Sequence, residues 1–261
     1  RFAENGWSMK KMVREIVLSR TYQLASIYDE KSFSADPENT LFWRHNKRRL
    51  DAECIRDAML TASGQLDAHA PVGSAIALAG DGPIAFRRPG GGAFGQRIPG
   101  ASEESIVSPQ TNVRSVYLPI ARDVLPDALA AFDFPEPSLV AGARETTNVP
   151  SQALFMLNSP FATAQAQKLA ERVAAAYPAG PNGGVTANLD QRIAFAYWLA
   201  FGRAPDAVER QASANFFSRF PSNWAKGDGA SPGMLTGESA KAAWTSFCRA
   251  LFASAEFRYL N

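Results

Sequence analysis

The densest run of chemically active side chains is Arg44-His45-Asn46-Lys47-Arg48-Arg49, with Asp51 two positions on. Five of its six residues can carry positive charge. Arginine presents a planar fork of donors that matches a carboxylate or a sulfate, so the run suits an anion or a glycan. The plainer account is favoured: Arg48 and Arg49 pair with Asp51, Glu53 or other carboxylates around a helix start, because structural ion pairs also gather charge. The net charge is only +2, and nothing else in the chain extends the basic track. A nucleic-acid surface is therefore not expected.

His45 and His69 are the only histidines, and neither has a partner at helical ligand spacing. Metal sites draw on several His, Cys or carboxylate ligands, so no metal is expected. His45 has the chemistry of a general base, but a helix-end histidine satisfied by backbone is the simpler reading. Arg114-Ser115-Val116-Tyr117, with Arg122-Asp123 beyond, brings polar groups to an expected strand edge, and Asp133 and Glu136 are the next carboxylates. Carboxylate pairs hydrolyse glycosides only at a fixed separation; a salt-bridged edge beside a turn explains these residues more simply. In Arg144-Glu145-Thr146-Thr147-Asn148-Val149-Pro150-Ser151-Gln152, Thr147 and Asn148 are candidate caps and Gln152 can reach back as in a capping box. There is no Gly-x-Ser-x-Gly elbow and no phosphate-cradling glycine loop before a helix. Gly90-Gly91-Gly92 is loop chemistry. If the chain is a lobe of an enzyme, Arg49, Asp51, Arg114, Tyr117 and Arg144 are the residues that should meet around one concave pocket.

These residues must be carried by a scaffold, and its pattern is helical. Ser8 caps a helix over 8–19, with Met9, Met12, Val13, Ile16 and Val17 on one face. Asp36-Pro37 signals a second, short helix through Trp43. Asp51 caps a third over 51–65, ended by Gly64. Ser115 to Ile120 is the best strand, with Pro119 placing it at an edge. A short helix starts at Leu125-Pro126-Asp127 and runs towards Phe132. Asp133 to Pro137 is extended or turning. Further helices are expected over 150–158, 160–177, 190–201 (capped by Asp190), 206–219 and 238–253. Pro178–Asn188 and 221–237 read as loops, the second carrying Trp224. Other tryptophans fall at core positions. Cys54 and Cys248 lie on apolar stretches and read as two buried thiols, with one long-range disulfide as the alternative.

The fold class is thus mainly α: an irregular multi-helix bundle with one or two short β-strands and a long Gly/Pro-rich loop. The expected parts are 1–66, a helical part continuing an upstream segment; 67–113, the Gly/Pro-rich insertion or linker; and 114–261, a second helical part, together one domain. No apolar run is long enough for a transmembrane segment.

Several strings in order carry a resemblance. They are Gly6-Trp7-Ser8, Ile16-Val17-Leu18-Ser19-Arg20-Thr21-Tyr22-Gln23, Arg48-Arg49-Leu50-Asp51-Ala52-Glu53, Arg114-Ser115-Val116-Tyr117-Leu118-Pro119, Phe132-Asp133-Phe134-Pro135, Val149-Pro150-Ser151-Gln152-Ala153-Leu154, Asn158-Ser159-Pro160 and Ser254-Ala255-Glu256-Phe257. Together they resemble the planctomycete C-terminal domain of unknown function 1553 family. The resemblance implies a large parent protein of the kind that usually carries a cytochrome-c-like domain and a second uncharacterised domain upstream. The stretch after Asp67 is longer here than the family leads one to expect, and the resemblance leads one to expect that the family's domain starts upstream of Arg1. The resemblance implies an exported, periplasmic or cell-surface protein, with haem in the parent and no cofactor or metal in this chain, which has no Cys-x-x-Cys. The favoured function is an accessory or interaction domain that packs on upstream domains of the same parent and presents a surface to a partner, with polysaccharide as a candidate. The competing function is a lobe of an enzyme acting on polysaccharide, or of an oxidoreductase, completed by upstream domains. An accessory domain should show a broad apolar patch near 8–19.

Overall fold

A computed structural model describes residues 1–73, 112–120, 125–178, 188–228 and 237–260. The expectations for 75–78, 89–92, 98–100 and Arg122-Asp123, and most of the Pro178–Asn188 loop, lie outside the described residues. Among the described residues the chain is mainly α-helical, with ten α-helices and one two-stranded sheet. It divides into two compact units, Arg1–Leu50 with Arg258–Asn261, and Asp51–Phe257.

The N-terminal unit holds α1 (Met9–Val17), α2 (Glu30–Ala35) and β1 (Arg48–Arg49), which pairs antiparallel with β2 (Tyr259–Leu260). Ser8 caps α1 by accepting from the Lys11 amide. Asp36 does not open a helix. It ends α2, and its carboxylate accepts from the Thr40 amide and hydroxyl and from the Leu41 amide, at 2.7–3.0 Å. A short polar side chain that satisfies nearby amides competes with helix, so Asp36-Pro37 closes a turn here. Asn39, at φ +56°, continues that turn by donating to the Arg44 carbonyl and to Asn46 Oδ1. The residues buried in 1–50 are Ser26, Asp36, Asn39 and Arg49, all polar.

The larger unit is built on α3 (Ala52–Ser63), α4 (Asp127–Ala130), α5 (Pro150–Asn158), α6 (Pro160–Ala176), α7 (Leu189–Phe201), α8 (Ala207–Asp228), α9 (Gly237–Ala253) and α10 (Ala255–Arg258), which runs to the boundary. Helix α6 lies between α9 and α3 in the two most extensive helix contacts. Ile55, Met59 and Leu60 of α3, Leu169 and Val173 of α6, Ile193 of α7 and Phe252 of α9 are fully buried. Burial of such side chains contributes ~1.5–3 kcal/mol each. Phe217 stacks at 4.4 Å on Trp244, and both meet Phe247.

Four further sequence expectations differ from the structure. Ser115–Tyr117 is a 3-10 turn rather than a strand. Asp57 accepts from both the amide and the hydroxyl of Ser115, which spends the donor a ladder would use. Thr147 does not cap α5; the N-cap is Val149, and Thr147 instead binds the Asp133 carboxylate through its amide and hydroxyl. Gln152 does reach back, to the Thr147 hydroxyl at 3.3 Å. Helix α8 continues past Pro221 to Asp228, so Trp224 is helical rather than in a loop. Cys54 is exposed, Cys248 is buried, and both are free thiols.

Candidate functional site

The first turn of α3 forms one side of a cleft of about 340 Å³ in the larger unit. Asp51 is the N-cap residue, yet its side chain makes no capping bond. Glu53 follows in the first turn, where the partial positive charge of a helix N-terminus favours carboxylates. Arg144 reaches in and grips Glu53 with both terminal nitrogens, at 2.7 and 2.8 Å, while staying 4.0 Å from Asp51. Its guanidinium lies 5.6 Å over the Phe134 ring. Val116, Leu118 and Ile120 supply an apolar wall, and Cys54 and Ser115 complete the lining.

That wall is held from below by two neighbours on α3. Arg56 is 2% exposed and donates to the Val113 carbonyl and the Ser115 hydroxyl, at 2.9 and 3.2 Å. Asp57 takes the amide and hydroxyl of Ser115 at 2.7 and 2.6 Å. A backbone bridge between Asp67 and Val113 brings the chain back to this point.

The electrostatics follow from these contacts. Burial raises the Glu53 carboxyl, but the bonds and charge of Arg144 outweigh it and hold the group below its usual value. The Arg144 guanidinium is pushed up, first by its bond to Glu53. Burial, then the charges of Asp51, Glu53 and Asp57, pushes the Cys54 thiol up. Glu53 is thus an ionised partner rather than a proton donor, and Cys54 is a suppressed nucleophile, because the thiolate is the reactive form. Asp51 pairs loosely with Arg144 at 4.0 Å beside the apolar wall.

Of the residues named from sequence, Asp51 and Arg144 line the cleft together. Arg114 is half exposed and 3.6 Å from Asp57. Tyr117 ends the 3-10 turn and is partly exposed. Arg49 sits on β1 in the other unit. The carboxylate of Glu53 is gripped by Arg144, 91 residues away in sequence, and Asp51 lies 4.0 Å from the same guanidinium. His45 donates its amide to the Ala25 carbonyl. His69 meets Asp67 at 2.7 Å on the surface. Arg56 carries no motif that marks it in the sequence; its signal is its place with Ala52 and Leu60, which recur every fourth residue and are all buried. Among the described residues no group of three His, Cys, Asp or Glu is placed to hold a metal ion, and no helix is long and apolar enough to cross a membrane.

A second feature lies on α1. Its apolar residues occupy one sector about 140° wide at ~100° per residue. None is buried: Met9 is 67% exposed, Val13 51% and Ile16 49%. Trp7, 71% exposed at φ +58°, stands at its N-terminal end and stacks edge-on with Phe2. Residues 1–50 carry ten Lys and Arg against six Asp and Glu, a net +4 within a chain of +2.

No curated protein and no solved structure matches the chain. Residues 1–217, which include both the exposed helix and the cleft, match the family described as "Protein of unknown function (DUF1553)", and the chain belongs to that family.

Proposed function

We propose that the chain is an accessory, interaction domain whose N-terminal unit docks through the α1 face onto another domain of a larger parent protein. One observation carries the reading: residues 1–50 bury no apolar side chain, while α1 gathers its apolar residues in one exposed sector. A surface helix is ordinarily amphipathic because its apolar stripe covers a core. Burial of Met9, Val13 and Ile16 against a partner would contribute ~1.5–3 kcal/mol each. The family match spans all of 1–50, so this helix is part of the family's domain rather than an appended tail. The family resemblance supports an exported parent whose haem is held by a separate cytochrome-c-like domain.

The cleft fits an enzyme lobe less well. A glycosidase acid needs a carboxyl held protonated near neutral pH, whereas Glu53 is held ionised by Arg144. Hydrogen–deuterium exchange of the amides over 9–17 tests the docking reading, comparing this chain alone with the intact parent. Strong protection in the parent is expected. Equal exchange in both would discard the reading.

A further inference from the structure

The two edges of the α1 stripe differ in charge. On one edge, beside Val13 and Val17, a helical projection places Lys10 and then Arg14; on the other, beside Met12, it places Glu15. Lys11 falls between them on the far side. Glu15 is fixed by a bond from the Asn5 amide group at 3.0 Å. No acidic side chain within α1 lies on the Lys10–Arg14 edge, and neither cation has an ion-pair partner among the described residues. A neighbour covering the stripe meets an apolar seam bordered by positive charge on one side only.

We propose that the element covering α1 is an amphipathic helix of the same parent, with an apolar stripe and with Asp or Glu along the edge that faces Lys10 and Arg14. This rests on the docking reading above and names its partner. A helix fits because ridges of Met9, Val13 and Ile16 at successive turns of α1 interdigitate with a like row. Acidic residues opposite Lys10 and Arg14 set register and exclude partners with basic edges, as edge charges do in paired helices. A bilayer suits the face less well. Helices that lie in an interface are rich in Lys and Arg across the polar face, whereas Glu15 interrupts that face here and an anionic surface would repel it.

The experiment exchanges hydrogens in the intact parent carrying Lys10→Glu with Arg14→Glu, against wild type and against Lys11→Glu. The double variant should raise the exchange rate of the 9–17 amides about ten-fold, equal to about 1.4 kcal/mol. Lys11→Glu should leave it within two-fold. Circular dichroism of the isolated chain, unchanged in both, shows that α1 still forms. Protection in the wild-type parent with no response to the double variant overturns the acidic-edge helix while leaving docking intact. Absence of protection in the wild-type parent overturns docking itself. Protection gained by the isolated chain on adding vesicles of phosphatidylglycerol assigns the face to lipid and overturns the proposal.

Discussion

Replacing Arg56 with Met tests whether a buried guanidinium builds the cleft. Arg56 is 2% exposed, bonded to the Val113 carbonyl and the Ser115 hydroxyl, 3.7 Å from Asp57 and 5.5 Å over the Phe161 ring. Hydrogen bonds from a charged donor contribute about 1.5–3 kcal/mol each. Methionine fills much of the space but leaves the Val113 carbonyl and part of the Asp57 charge without their donor. Release of the desolvation cost of the cation offsets some of that loss. The net expectation is about 3 kcal/mol of destabilisation. For a unit of this size ~1 kcal/mol moves Tm by ~2–4 °C, so Tm should fall by roughly 6–12 °C. Scanning calorimetry reads the stability. The labelling rate of Cys54 with a thiol reagent reads the cleft, because Ser115 shares its lining. Arg56→Met should label several-fold faster as the wall of Val116 and Leu118 loosens. A variant with unchanged Tm and unchanged labelling would refute the claim that Arg56 anchors this wall.

The C-terminus of α3 offers a second test. Arg172 donates to the Thr61 and Ala62 carbonyls at 2.9 and 2.8 Å, where a cation suits the helix dipole. Arg172→Met should cost ~1 kcal/mol by urea denaturation. Gly64, at φ +74°, would place an added Cβ 3.3 Å from Arg172 Cδ, so Gly64→Ala should cost ~1–2 kcal/mol, less in the Arg172→Met background. Acid should weaken the α7–α8 corner. Bonds from Arg203 hold the Glu209 carboxyl below its usual value, so the stability it contributes is present above about pH 4.3 and is lost as the pH falls through the lower folded value. The decline of Tm between about pH 5 and 3 should be shallower in Glu209→Gln.

Local signals were legible in the sequence where they had a single outcome. Pro150 opens α5 and Ser159-Pro160 opens α6 as read, with Ser159 accepting from the Ala162 amide. Gly64 ends α3 in the left-handed region. Signals with two outcomes misled. Asp before Pro can open a helix or close a turn, and the amides at 40 and 41 decide it. Ser115 to Ile120 carries β-forming residues, but Asp57 claims the Ser115 amide from 58 residues away. The cleft fails for the same reason on a larger scale. The residue types of Asp51 and Arg144 mark them as candidates, but the grip of Arg144 on Glu53 joins segments 91 residues apart, and no periodicity encodes that pairing.

The two units are organised by different forces, and this difference argues for docking. The larger unit has a continuous apolar core from Ile55 through Leu169 to Phe252. Residues 1–50 are ordered by turn chemistry around Asp36 and Asn39 and by contacts of the Tyr28 ring with Phe33 and Trp43, with Arg44 over the Trp43 ring. Net contributions of such bonds are ~0.5–1.5 kcal/mol each, while fixing a backbone costs ~1–2 kcal/mol per residue. A few polar turns therefore leave much of the ordering cost of α1 unmet. Its own cap, the Ser8 bond to Lys11, contributes only ~1 kcal/mol. A nine-residue helix is marginal alone. The apolar stripe of α1 is a reserve of free energy that this segment leaves exposed, and the proposed docking would release it.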